Sequence, residues 1–267
     1  MIPMSSASPV ISPRRIGILA AMPEVLQTFL DAMPDEAQQV IGGRTFWVGH
    51  WAGHEVVAVL SGIGKVAAAI TSTLLIEHFH ATELWFTGVA GGVGEGVRVG
   101  DVVVADQLVQ HDMDARPLFP RFELPMKGVS FLPADEALTD RAYAAAQAVA
   151  DALALQGHVP GTHLNRAALQ ALGVQAPRVH RGLIASGDQF IGSAKASQAI
   201  VDALPGTLAV EMEGAAVAQV CHEFGVPFAI IRTISDRADD AAHVDFQRFI
   251  TAVASPFSHA LMAALMR

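Results

Sequence analysis

Three short stretches end apolar runs in side chains that can move protons. AVEME carries Glu211 and Glu213, RTISD carries Arg232, Ser235 and Asp236, and AAMPE carries Glu24. Carboxylates are the residue type of general acid and base chemistry, the protonated form supporting a leaving group and the ionised form taking a proton. If a bond is broken by water, Glu24 is the first candidate to activate that water. Each stretch also has a structural alternative: Ser235 and Asp236 suit a turn cap, and Glu213 suits the positive end of a helix. Pattern alone does not choose between these readings.

The elements that must position these residues follow from the periodicity. Short apolar runs (RIGILAAM, TFWVGH, EVVAVLSG, LWFTGVAGG, DVVVADQLV) alternate with helical patterns such as KVAAAITSTLLIEHF and ALTDRAYAAAQAVADALAL. RGLIASGD, TLAVEME and FAIIRTISD read as further strands, EGAAVAQVCHEF as a helix, and a last helix runs from about Asp245 to the end. Several runs are apolar at every position, which fits strands buried on both faces. The expected fold is a single α/β domain over residues 14–267, a three-layer sandwich with a mixed, mostly parallel sheet between helices. Residues 1–13 are expected as a tail, and Gly157–His180 as a surface excursion or lid. In an open α/β sheet, ligands bind at the carboxyl ends of the strands, where all three stretches fall.

Composition narrows the partners. A formal net charge of -9 and the absence of any Lys/Arg run leave no footprint for nucleic acid or an anionic membrane. Cys221 is the only cysteine, so no intrachain disulfide forms, and it reads as a buried thiol. No signal peptide or membrane span is expected, which gives a soluble, cytoplasmic protein acting on a small molecule. TGVAGGVGEG holds no G-x-G-x-x-G frame, and SGIGKVAAA lacks the glycine and hydroxyl residue of a phosphate loop. His111, Asp112 and Asp114 alternate faces along a strand, and His158, His163 and His180 lack metal spacing, so neither metal nor cofactor is expected.

Seven segments in register over nearly the whole chain carry a resemblance: RRIGILAAM, SGIGKVAAA, FTGVAGG, VGDVVVADQLVQHD, GLIASGDQF, VEMEGAAVAQVCHEFGVPF and RTISDRAD. Together they resemble the 5'-methylthioadenosine/S-adenosylhomocysteine nucleosidases of the purine nucleoside phosphorylase superfamily. The resemblance implies a homodimer that cleaves the bond between adenine and a 5'-thio-substituted ribose. Asp236 then matches the acid that protonates adenine N7, with a pKa that must be raised, as burial would do. Glu213 matches the acceptor of the ribose hydroxyls and Met212 an apolar contact to the sugar. Phe190 and Ile191 match the adenine clamp, Phe246 and Ile63 its surrounding walls, Ser235 a support for Asp236 and Arg232 a support for the water. Met22, Val89, Ala90, Gly91 and Glu211 complete the expected substrate-binding set.

Two places depart from the family pattern. The family's first strand ends in G-A-M-x-E-E, whose last glutamate activates the water, and Val25 stands at that position here. Glu24 is one residue away, a rotation of about 100° on a regular helix. Pro23 suits a first helical position, and a different helix start there would leave Glu24 in a non-helical turn as the water's base. In DARPLFPRFELP, Leu118 or Phe119 takes the place of an aromatic that the family supplies from the partner subunit, with Pro125 beside it. Three alternatives stay open: a phosphorylase, whose phosphate would need a cation among Lys65, Arg232 and Arg237, a hydrolase for another adenine nucleoside, and a non-catalytic nucleoside-binding protein.

Overall fold

The computed structural model describes residues 14–239 and 246–267; the expected tail over residues 1–13 and the side chain of Phe246 lie outside the described residues. The chain opens with strand β1 (Arg15–Ala20) and helix α1 (Pro23–Leu30), then β2 (Ala37–Ile41), β3 (Arg44–Trp51) and β4 (His54–Leu60). Helix α2 (Lys65–Glu77) leads into β5 (Glu83–Gly92), β6 (Val102–Gln110), the short β7 (Phe131–Pro133), the long α3 (Glu136–Gln156) and α4 (Arg166–Ala171). Then come β8 (Val179–Ser186), α5 (Ala194–Ala203), β9 (Thr207–Glu211), α6 (Gly214–Phe224) and β10 (Phe228–Asp236). The end of the chain is α7 (Phe246–Phe249), a π-helical segment (Ile250–Ala254) and α8 (Ser255–Leu265).

The strands form one sheet in the order β10-β6-β8-β9-β5-β1-β4-β3-β2, with β7 on β6. Because β10 also pairs with β5, the strands β10, β6, β8, β9 and β5 close into a ring, and β1, β4, β3 and β2 extend from β5 as an open wing. Strand β1 runs parallel to β4 and β5, β5 parallel to β10, and β8 parallel to both β6 and β9; the other pairings are antiparallel.

Side-chain alternation explains the layers. In β1, Ile16, Ile18 and Ala20 join a core with Val25, Leu26 and Phe29 of α1 and with α3 and α8, while Leu19 joins a second core with α2 and α6. A strand that must bury both faces is apolar along its buried length, as RIGILA is after Arg15. Helix α3 buries Leu138, Ala142, Ala146, Val149 and Leu153, spaced three or four residues apart on one face.

The pattern reading missed α5, β2 and β7. Helix α5 is short, rich in alanine and buries only Ile200, and β2 is exposed along nearly its whole length, so neither stands out as an apolar run. In the stretch from Gly157 to His180, Val159, Leu164, Leu169 and Val174 are buried in the core that includes α3 and α8, while most of its other residues stay at the surface.

Candidate active site

The carboxyl ends of β1, β5, β9 and β10, with the turns after β4 and β8, converge on a cavity of about 270 Å3. Its walls are mostly apolar: Ala21 and Met22 follow β1, Val89, Ala90 and Gly91 end β5, and Val210 and Met212 flank Glu211. Ile63 and Phe190, 77% and 53% exposed, stand at its rim, with Ile191 buried behind Phe190. The polar groups are Gln189, Glu211, Glu213, Ser235 and Asp236.

Glu211 and Glu213 are two residues apart and differ in role. The Glu211 carboxylate accepts the N–H groups of Glu213 (3.1 Å) and Gly214 (2.8 Å), Arg232 Nη2 (2.7 Å) and Nε (3.3 Å), and the Ser186 hydroxyl. Ser186 Oγ accepts from the Ala215 N–H at 2.7 Å, which ties β8 to the first turn of α6. Arg232 is 0% exposed, its guanidinium lying 3.9 Å from the Phe86 ring centroid and also donating to the Phe86 and Ile231 carbonyls. A buried ion pair is tolerated when further hydrogen bonds satisfy both partners, as they do here. Glu211 is thus filled by protein donors and shapes the corner between β9 and α6.

Glu213 Oε1 accepts the Gly64 N–H at 2.9 Å, and the Met212 backbone also favours the ionised carboxylate. Burial, and then the charge of Glu211, push its carboxyl up to about 7. It occupies the N-cap position of α6 without a capping hydrogen bond from its side chain. Its carboxyl lines the cavity, where a ligand can reach it.

Asp236 ends β10 beyond an irregularity in its pairing with β5, where Ile234 stands opposite Ala90 and Asp236 opposite Gly91, leaving Ser235 as the extra residue. Such a bulge re-aims side chains, and here both Ser235 and Asp236 reach the cavity. Asp236 Oδ1 accepts the Ala238 N–H and Oδ2 the Ser235 hydroxyl, each at 2.8 Å, and Ser235 Oγ lies 3.4 Å from the Ala90 carbonyl. Gly91 is required beside them, because a Cβ there would stand 2.8 Å from Ala238 Cβ and 3.0 Å from Asp236 Oδ1.

The cavity therefore gathers Met22, Ile63, Val89, Ala90, Gly91, Phe190, Ile191, Glu211, Met212, Glu213, Ser235 and Asp236. Glu24, Arg232, Leu118, Phe119 and Pro125 are not in its wall. Met22 caps α1, Pro23 takes its first position and Glu24 its second, so the non-helical turn proposed for Glu24 does not form, and Val25 is sealed in the core. Arg232 lies behind the wall and grips Glu211. Sequence reasoning missed Ala21, Gln189 and Val210 in the wall, and Ser186 and Gly64 behind it. Ser186 ends an apolar strand, so the rule that selected Asp236 would have found it. Among the described residues, no group of three His, Cys, Asp or Glu side chains is placed to hold a metal, and no helix is long and apolar enough to cross a membrane.

Residues 15–267 match the family model of the phosphorylase superfamily. A 5'-methylthioadenosine/S-adenosylhomocysteine nucleosidase of Shewanella baltica is 36% identical over 253 residues, covering 94% of this chain and 95% of that protein. The chain belongs to this nucleosidase family of the phosphorylase superfamily. Among solved members, the Streptococcus pneumoniae nucleosidase with the transition-state inhibitor MT-ImmA superposes with a TM-score of 0.77 at 35% identity, over 94% of this chain and 98% of that one. The futalosine hydrolase of Helicobacter pylori is similar to the same degree, with a TM-score of 0.76 at 32% identity over 94% and 97%.

Proposed function

We propose that the protein hydrolyses the N-glycosidic bond of 5'-methylthioadenosine and S-adenosylhomocysteine, releasing adenine. One observation carries the reading: a single apolar-walled cavity in a chain of this family presents an acid at the end of β10 and a ribose-side carboxylate at the start of α6. Expelling adenine requires a proton on the base as the C1'–N9 bond breaks, and the sugar left behind is oxocarbenium-like. Asp236 supplies that proton to N7. The Ser235 hydroxyl donates to Asp236 Oδ2 and the Ala238 N–H to Oδ1, which together fix the carboxyl at the cavity wall where it meets the base. Phe190 and Ile191 hold the base, Met212 contacts the sugar, and Glu213 accepts the ribose hydroxyls and opposes the developing positive charge.

Water then adds to C1' and must lose a proton. Of the carboxylates in the wall, Glu211 is filled by its donors and Asp236 serves the base, so the proton goes to Glu213, whose pKa of about 7 suits a general base. Hydrolysis is favoured over phosphorolysis because none of Lys65, Arg232 and Arg237 lines the cavity. A homodimer belongs to the same reading. Leu118, 83% exposed and outside the wall, is free to reach a partner's cavity together with Phe119 and Pro125, and Ile63 and Val66 lie in an exposed apolar strip on the side of α2. A cytoplasmic location, in keeping with one reduced cysteine, completes it.

The test is adenine release from methylthioadenosine in phosphate-free buffer, with free methylthioribose as the second product. Release that depends on phosphate and yields a sugar 1-phosphate overturns hydrolysis.

A further inference from the structure

Helix α2 begins at the cavity without a cap of its own: Gly64 at its N-cap position has no side chain, and its first turn holds no acidic residue. Free N–H groups at a helix start need acceptors. Both acceptors here come from other parts of the chain. The Gly64 N–H donates to Glu213 at 2.9 Å, and the Lys65 N–H donates to Asp188 Oδ1 at 2.7 Å. Asp188 precedes Gln189, Phe190 and Ile191 of the wall, so one helix start meets both the ribose carboxylate and the adenine-side loop.

Lys65 and Asp188 close a ring of hydrogen bonds through Asp112. The Asp188 N–H donates to Asp112 Oδ2 at 2.8 Å, and Lys65 Nζ donates to Asp112 Oδ1 at 2.6 Å and to Gln110 Oε1 at 3.0 Å. Burial works to raise the Asp112 carboxyl, and the Lys65 ammonium and Asp188 N–H outweigh it, leaving the group below the ordinary carboxylate value. Behind this ring, Gly187 lies against the His111 imidazole so closely that a Cβ would collide with it, and the Gly187 N–H donates to the Glu211 carbonyl at 3.1 Å. The loop that follows β8 is therefore fixed at Gly187 and again at Asp188.

We infer that Lys65, Asp112 and Asp188 are positioning residues that lock the adenine-holding loop to the ribose-holding turn, so that Asp236 and Glu213 engage one substrate together. None of the three lines the cavity, and the inference rests on the proposed roles of Asp236 and Glu213. Misplacing reacting groups by an ångström costs on the order of a hundredfold in rate.

The experiment compares Asp188→Ala, Asp188→Asn and Lys65→Met with the wild type in the full chain. It reads kcat and KM for methylthioadenosine, adenine affinity by calorimetry, and Tm. Asp188→Ala is expected to lower kcat/KM on the order of tenfold to a hundredfold and to weaken adenine binding. Asn caps helices as well as Asp, so Asp188→Asn returns most of the loss. Lys65→Met keeps the backbone bond to Asp188 and raises KM more than it lowers kcat. Variants with wild-type kcat, KM and adenine affinity but lowered Tm would make the ring a structural tie and overturn the inference. If Asp188→Ala does not fold, Lys65→Met decides alone. A wild type that binds adenine without releasing it from nucleosides sinks the hydrolase reading, while adenine affinity across the variants still judges the ring; a wild type that does neither sinks both.

Discussion

Two glutamates of one tetrapeptide behave differently because of what surrounds each carboxylate. Glu211 meets five donors and serves as a fixed anion, whereas Glu213 meets the backbone of Gly64 and Met212 and the negative charge of its neighbour. The folded-state pKa of Glu213 is raised from 4.5 to about 7, so the unfolded chain releases this proton at a pH where the native protein still holds it. The contribution to stability is therefore full below about 4.5 and is lost as pH rises through about 7. Urea unfolding of the wild type and Glu213→Gln across that range is expected to show the Gln variant gaining on the wild type as pH increases. Ribose hydroxyls donate to the ionised form, so KM for the nucleoside should fall over the same interval. Glu24 stands in helix α1 outside the cavity wall, and Glu24→Gln is expected to retain kcat within about tenfold, short of the hundredfold or more that removal of a general base brings. A larger loss in single-turnover kinetics returns the water to Glu24.

At the scale of elements, the site is a set of junctions. Strand β10 aims its acid through a bulge, β9 turns into α6 around Glu211, and α2 starts where two other loops supply its acceptors. The Arg232–Glu211 pair secures the middle junction from behind, with Arg232 fully enclosed. Removing one partner of a buried pair leaves an uncompensated charge, so Arg232→Met is expected to cost about 3–5 kcal/mol in denaturant unfolding. A loss below 1 kcal/mol would show that Ser186 and the α6 backbone hold Glu211 without it.

At the scale of the whole molecule, ring closure through β10 and β5 places the ends of β1, β5, β9 and β10 around one space. The exposed strip beside its rim, with Val66 at 71% and Ile70 at 44%, fits the proposed homodimer. Val66→Glu combined with Ile70→Glu is expected to give a monomer of 28.1 kDa in sedimentation equilibrium and to weaken nucleoside binding, because Leu118 and Phe119 no longer reach the second subunit. A dimer that survives both charges places the interface elsewhere.

The sequence by itself determined the layered α/β order, because buried strands and amphipathic helices leave different apolar periods in RIGILA and in α3. It also marked Asp236 and Glu213, because strand ends are where such a fold binds ligands. It did not show α5 or β2, which bury so little that neither stands out as an apolar run. Only the tertiary structure decided that Glu211 is filled, that Glu213 is left with fewer donors, that Arg232 lies behind the wall and that Glu24 lies outside it. Those outcomes depend on contacts such as Gly64 with Glu213 and Ser186 with Glu211, between residues far apart in the chain, and local pattern carries no record of them.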